Sequence, residues 1–133
     1  MSKFSAFMKD KVKAAETVEL KLERFDEPIK LRALTSGEAD QINERCFVNK
    51  AGVKGRQERV FDVVKYNRGI STASVVYPDL NDAELQESYN VRGAENLYST
   101  LFLLGEAAQI LEKVTEISGI GGSINEDIEE AKN

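Results

Sequence analysis

Two short stretches near the start of the chain keep a two-residue rhythm, and a helical rhythm replaces it further on. In "ETVELKLERF", residues 16–25, Val18, Leu20 and Leu22 share one side, with Glu19, Lys21 and Glu23 on the other. "IKLRAL", residues 29–34, repeats the pattern with Ile29, Leu31 and Ala33. Successive side chains of a strand point to opposite faces, so the pair reads as an antiparallel β-hairpin with one face on a core. The "DEP" between them lacks the Asn-Gly signature of a two-residue turn and leaves the loop geometry open.

Helical spacing follows. Thr35 and Glu38 stand at the spacing of a capping box, in which each side chain satisfies the other's free backbone N–H. Ala39, Ile42 and Cys46 then recur on one face, which makes Cys46 a core thiol. "NKAGVKGR", residues 49–56, is glycine-dotted and basic, and reads as an exposed loop. "QERVF", residues 57–61, is a candidate third strand for the hairpin. Asp62, Tyr66, Ile70, Ala73 and Tyr77 make a helical stripe ending before Pro78, although Gly69 and the β-branched residues work against it. In "PDLNDAELQESY", residues 78–89, Asn81 is the expected N-cap, with Glu84 three residues on and Ala83 and Leu85 turned inward. After Asn90 a helix is expected through Val91, Ala94, Leu97, Leu101 and Leu104. A last one over 105–119 has Ala107, Ile110, Leu111, Val114 and Ile117 facing the core and Gly119 as its C-cap.

These elements define an α+β fold: a small antiparallel β-hairpin or three-stranded sheet packed with four to five helices, the C-terminal half helical. With 133 residues, residues 1–120 are expected to form a single domain, and a chain of this size buries roughly two-thirds of its unfolded surface. Residues 121–133 are expected to be a flexible acidic tail. "FSAFMKDKVK" places Phe4, Phe7, Met8 and Val12 at helical spacing, so residues 1–13 read as an N-terminal helical arm of local charge +3. Two readings of that arm stand: it docks on its own core, or it docks on a partner.

Composition removes several kinds of chemistry. The chain has no histidine and a single cysteine, which excludes a disulfide framework within the chain and a CxxC redox or zinc motif. It also removes the commonest general base and metal ligand. No set of side chains has the spacing of a catalytic or metal-binding constellation, so no enzyme activity, cofactor or metal is expected. The glycines at 119, 121 and 122 follow a helix and open a polar tail, whereas a phosphate loop follows a strand and opens a helix. No apolar run is long enough for a signal peptide or a membrane span, and a soluble cytoplasmic protein is expected.

Charge is unevenly spread. Residues 45–68 hold Arg45, Lys50, Lys54, Arg56, Arg59, Lys65 and Arg68 against Glu58 and Asp62, a band of +5 within a chain of −5. The acidic balance disfavours nucleic acid, and Phe47, Phe61 and Tyr66 sit at core-like positions rather than as a stacking platform. A basic surface for an acidic protein partner and a merely solvated loop both remain open. Residues alone thus reach a small soluble α+β interaction module.

The stretch from Val75 to Ile120 carries more. "YPDLNDAELQ" at 77–86, the helix before the Gly-Glu pair at 105–106, and "LEKVTEISG" at 111–119 resemble the XkdN-like tail assembly chaperones of phages and prophages of Gram-positive bacteria. The opening "SAFMKD" and the closing "EEAKN" resemble that family's ends, and the likeness is weakest from about residue 49 to 61. One departure is Leu104, where relatives commonly carry proline, so the helix is expected to run through or merely kink there. The resemblance implies a non-enzymatic morphogenesis factor that coats the long helical tape measure protein until tail tube subunits polymerise around it. Phe4, Phe7 and Met8 are then the first candidates for partner contact, self-association is expected, and neither nucleic acid nor membrane is a partner. It also implies a protein of the host bacterial cytoplasm that is absent from the mature virion. In many such systems −1 ribosomal frameshifting yields a longer product that recruits tail tube protein, and the Ala131-Lys132-Asn133 ending permits a slippery heptamer. The alternative is a structural tail or connector subunit retained in the virion.

Overall fold

A computed structural model describes residues 3–12 and 17–119. The alternating stretches form strands β1 (Val18–Leu20) and β2 (Ile29–Leu31), antiparallel, with Val18 opposite Leu31 and Leu20 opposite Ile29. Ile29 and Leu31 are buried and Lys30 between them is exposed, as the alternation requires. The third strand is not "QERVF". Strand β5, Val75–Tyr77, pairs with the other edge of β2, giving the order β1-β2-β5. Beyond the strands, the Arg32 N–H donates to the Ser74 carbonyl and the buried Ser74 hydroxyl donates to the Arg32 carbonyl at 2.7 Å.

Helix α1, Ser36–Glu44, starts at the expected capping box: the Glu38 N–H donates to Thr35 Oγ1 at 3.2 Å and the Thr35 N–H to Glu38 Oε1 at 3.1 Å. Arg32 clamps the same carboxylate at 2.6 and 3.0 Å. Ile42 and Cys46 are core, as their spacing predicts. "QERVF" is strand β4, Gln57–Phe61, and it pairs with β3, Phe47–Ala51, as a separate two-stranded sheet. Residues 49–56, expected as a loop, therefore supply the last three residues of β3 and a 3-10 turn, Val53–Gly55, with Lys54 at φ +62° and Gly55 at φ +75°. The two left-handed positions close the hairpin tip.

Helix α2, Val63–Ser74, begins on Asp62, whose carboxylate accepts from the Lys65 N–H at 3.1 Å. It ends earlier than its stripe suggests. Tyr77 belongs to β5, where pairing with β2 holds residues 75–77 extended, and a cis Tyr77–Pro78 peptide follows. Gly69 lets α1 close on α2, since a Cβ there lies 2.7 Å from Ile42 Cγ2. Helix α3, Ala83–Ser88, is capped by Asp82 rather than Asn81, because the Asp79 carboxylate takes the Asn81 N–H and folds 79–82 into a turn. Ala83 is exposed there instead of inward, while Leu85 packs against the core.

Helices α4, Ala94–Leu101, and α5, Leu104–Ile117, complete the core with Leu97, Tyr98, Leu101, Ile110 and Val114. The chain does not run through Leu104. Phe102 (φ −97°, ψ 134°) and Leu103 (φ −72°, ψ 161°) are extended, so α4 stops and α5 starts afresh. Glu106 holds that break: its carboxylate accepts from the Leu103 N–H at 2.8 Å and from Arg24 at 2.5–3.2 Å, while Arg24 also donates to the Leu101 carbonyl at 2.7 Å. Leu104 is thereby the first helical residue, 90% exposed, and not part of the core stripe. Gly119, at φ +82°, ends α5 as expected, and the Leu34 N–H donates to Ser118 Oγ at 3.2 Å, tying this end to the start of α1. The acidic tail at 121–133 lies outside the described residues.

Candidate partner-binding surface

Chemical groups are arranged for structure, and apolar groups for contact. Cys46 is buried, its thiol donates to the Ile42 carbonyl at 3.0 Å, and burial pushes its pKa up, away from the thiolate a nucleophile needs. The Glu106 carboxyl is held low by its hydrogen bonds to Arg24, as a cap and ion-pair partner requires. The Tyr77 hydroxyl donates to Glu27, which raises its pKa. Among the described residues no group of His, Cys, Asp and Glu converges to hold a metal ion, and no helix is long and apolar enough to cross a membrane.

The N-terminal arm is not the helix its spacing predicts. Residues Ser5–Phe7 form one 3-10 turn, closed by the Phe7 N–H on the Phe4 carbonyl at 2.9 Å, and Met8 is already extended. Four lysines stand in residues 1–13, and a stretch this short nucleates a helix poorly. Phe4, Phe7 and Met8 are 66%, 79% and 52% exposed. Among the described residues they line none of the three grooves between the helices and the sheet.

A second apolar surface was not anticipated. Between α2, α4 and α5 lies an open groove of about 460 Å³. Its floor is Tyr98, Phe102 and Leu111, and its rim is Val64, Leu104 and Ala108. Val64, like Leu104, is largely exposed, and so are their sequence neighbours Val63 and Leu103. Arg68, Asn67 and Ser99 add polar edges. A large apolar patch with a polar edge is the composition of a protein-contact site rather than a small-molecule pocket. The Tyr98 hydroxyl below it is buried without a hydrogen bond of good geometry, and burial raises its pKa against the Ser71 hydroxyl beside it.

Two of the comparisons with known proteins name one family. The model of the phage XkdN-like tail assembly chaperone proteins matches residues 4–132. The phage-like element PBSX protein XkdN of Bacillus subtilis (strain 168) is 30% identical over 138 residues, covering 97% of this chain and 93% of that protein. An uncharacterized protein of the same organism, YqbN, is 31% identical over 136 residues, covering 96% and 90%. The crystal structure of the protein yqbn superposes with a TM-score of 0.70 at 24% identity, over 90% of this chain and 98% of that one, which supports the fold.

Proposed function

This chain belongs to the XkdN-like phage tail assembly chaperones, and from that membership we propose that it shields the tape measure protein, a long helical client, while tail tube subunits polymerise around it. One observation carries the choice of surface: a groove between three helices whose apolar rim, Val64 and Leu104, faces solvent. A helical client exposes apolar side chains at i, i+3, i+4 and i+7, and a groove between helices is the shape that receives such a stripe. Phe4, Phe7 and Met8, all exposed, add a second apolar contact. The role is one of binding and release, without catalysis.

The same reading places the protein in the host cytoplasm during assembly, self-associated along its client and absent from the finished particle. It makes this chain the short product of its gene and gives the tail tube contact to a longer −1 frameshifted form. Codons over Ala131 to Asn133 that cannot slip end the frameshift claim alone.

The test is co-expression with the tape measure protein, reading how much client stays soluble and co-purifies. A Val64→Asp, Leu104→Asp double variant should lower capture about 10-fold or more, since one buried apolar anchor is worth ~1–2 kcal/mol. Phe4→Ser, Phe7→Ser and Met8→Ser together should weaken it about as much. Full capture by both variants sinks the reading, and stoichiometric recovery of the chain from purified particles replaces it with a structural tail subunit.

A further inference from the structure

Of the seven cations in the basic band, Arg68 alone lines one of the three grooves among the described residues. It shares a face of α2 with Val64, four residues before it, and Ser71, three after, and all three line the groove between α2, α4 and α5. Arg68 is exposed, and among the described residues it is in no ion pair, whereas Arg24 and Arg32 each hold a carboxylate. Glu95 of α4 comes close without bridging to it. Its carboxylate oxygen lies 3.4 Å from where a Cβ on the neighbouring Gly69 belongs.

The same groove holds a second polar group in want of a partner. Tyr98 is 4% exposed, its hydroxyl is buried without a hydrogen bond of good geometry, and the Ser71 hydroxyl lies beside it. Ser71 stands one turn along α2 from Arg68, so the Tyr98 hydroxyl sits against the wall that carries the cation. A buried hydroxyl left unpaired costs stability until something bonds to it. From α5, Ala107 and Ala108 line the groove with methyl groups alone, which leaves room between the walls.

We propose that this groove selects, among amphipathic helices, those that carry an aspartate or glutamate within the apolar stripe, and that the carboxylate is taken by the Arg68 guanidinium and the Tyr98 hydroxyl. The inference rests on the groove as the client site and names the chemistry of the client there. A guanidinium and a phenol both donate, and a carboxylate is the side chain that only accepts, with lone pairs enough for both. An amide could bond to Tyr98 but leaves Arg68 without a counter-charge, and a lysine is repelled. A wholly apolar stripe covers Arg68 at a desolvation cost and leaves Tyr98 unpaired, so helices of that kind are turned away. The acid stands one helical turn, about 5 Å, from the client residue that covers Val64.

Co-expression with the tape measure protein tests this, reading the fraction of client that co-purifies and the melting temperature of each free variant. Arg68→Glu should lower capture about 10-fold or more, since the carboxylate then meets its own charge. Capture by the wild type should weaken between ~0.1 and ~0.5 M salt, and Arg68→Glu should remove that dependence. Tyr98→Phe keeps the ring and deletes the unpaired hydroxyl. The free variant should melt no lower than the wild type, yet capture should fall about 5-fold or more, which a merely structural tyrosine does not produce. Unchanged capture by Tyr98→Phe overturns the proposal even if Arg68→Glu is impaired, because a charged edge is then all that remains. If Val64→Asp with Leu104→Asp abolishes capture while Arg68→Glu and Tyr98→Phe retain it, the groove stands as the client site and the selection for an acid falls. If all three retain it, the groove falls as well.

Discussion

At the residue scale two positions set testable limits. Gly69 sits mid-helix, where glycine costs about 1 kcal/mol relative to alanine, yet Ile42 Cγ2 lies 2.7 Å from where a Cβ belongs. Gly69→Ala gains helix propensity and loses more to overpacking, because Ile42 is itself buried and cannot swing away. Net destabilisation of about 1–2 kcal/mol in urea titration is expected, and a stabilised variant contradicts the close α1–α2 approach. Glu38 sets a pH limit. Its hydrogen bonds to Arg32, then to the Thr35 N–H, lower its pKa from 4.5 to about 2. A depressed carboxylate contributes stability that is complete above about 4.5 and lost as the pH falls towards 2. Glu38→Gln keeps a capping side chain and removes the charge. Both partners are about a third exposed, so solvent screening trims the loss to about 1 kcal/mol at neutral pH. The gap between variant and wild type should narrow below pH 4.5 and vanish near pH 2, and a pH-independent gap sinks the ion-pair account.

At the element scale the break between α4 and α5 is the informative one. Leu104 occupies the first position of α5, Leu103 before it is extended, and no backbone bond from the Leu104 N–H is among those that cap the helix. Those are the conditions proline tolerates, with φ preset and no donor lost. Leu104→Pro should leave stability within about 0.5 kcal/mol of wild type or raise it, whereas Leu97→Pro inside α4 should cost about 3 kcal/mol or more. A large loss from Leu104→Pro in thermal melts contradicts the observed break. Where the sequence was legible, the signal was local. The β1–β2 alternation, the Thr35–Glu38 box and the Gly119 stop each depend on neighbours a few residues away, and each stands where its pattern puts it. Pairing partners were not local. Strand β4 reads as a strand wherever it pairs, and nothing in "QERVF" says that β3 is its mate while β5 completes the other sheet. Tyr77 fits the α2 stripe equally well until β2 captures it as a strand.

At the scale of the whole molecule, the family was legible from motifs in the helical half, while the surface was not. The exposure of Val64 and Leu104 was hidden because both look like core in the sequence. Exposure depends on where three helices end up, which no single segment encodes. The same logic governs how the molecule opens. Among the described residues, strands β3 and β4 pair with each other and with no strand of the main sheet. The hairpin is anchored at its stem by the Asp62 N–H on the Cys46 carbonyl at 2.7 Å and by the ring contacts among Phe47, Phe61 and Tyr66. A two-stranded hairpin with few buried side chains is marginal by itself. It should therefore open while the main core stays closed, and native-state hydrogen exchange reads this directly. Amides of Lys50 and Arg59 should exchange through openings several kcal/mol below the global unfolding free energy, with little dependence on denaturant. Those of Leu31, Leu97 and Ile110, all fully buried, should exchange only with global unfolding. If hairpin and core amides share one free energy, the hairpin is bound into the core more tightly than its anchors allow. A hairpin that opens alone can present its cations to a partner without unfolding the domain that carries the groove.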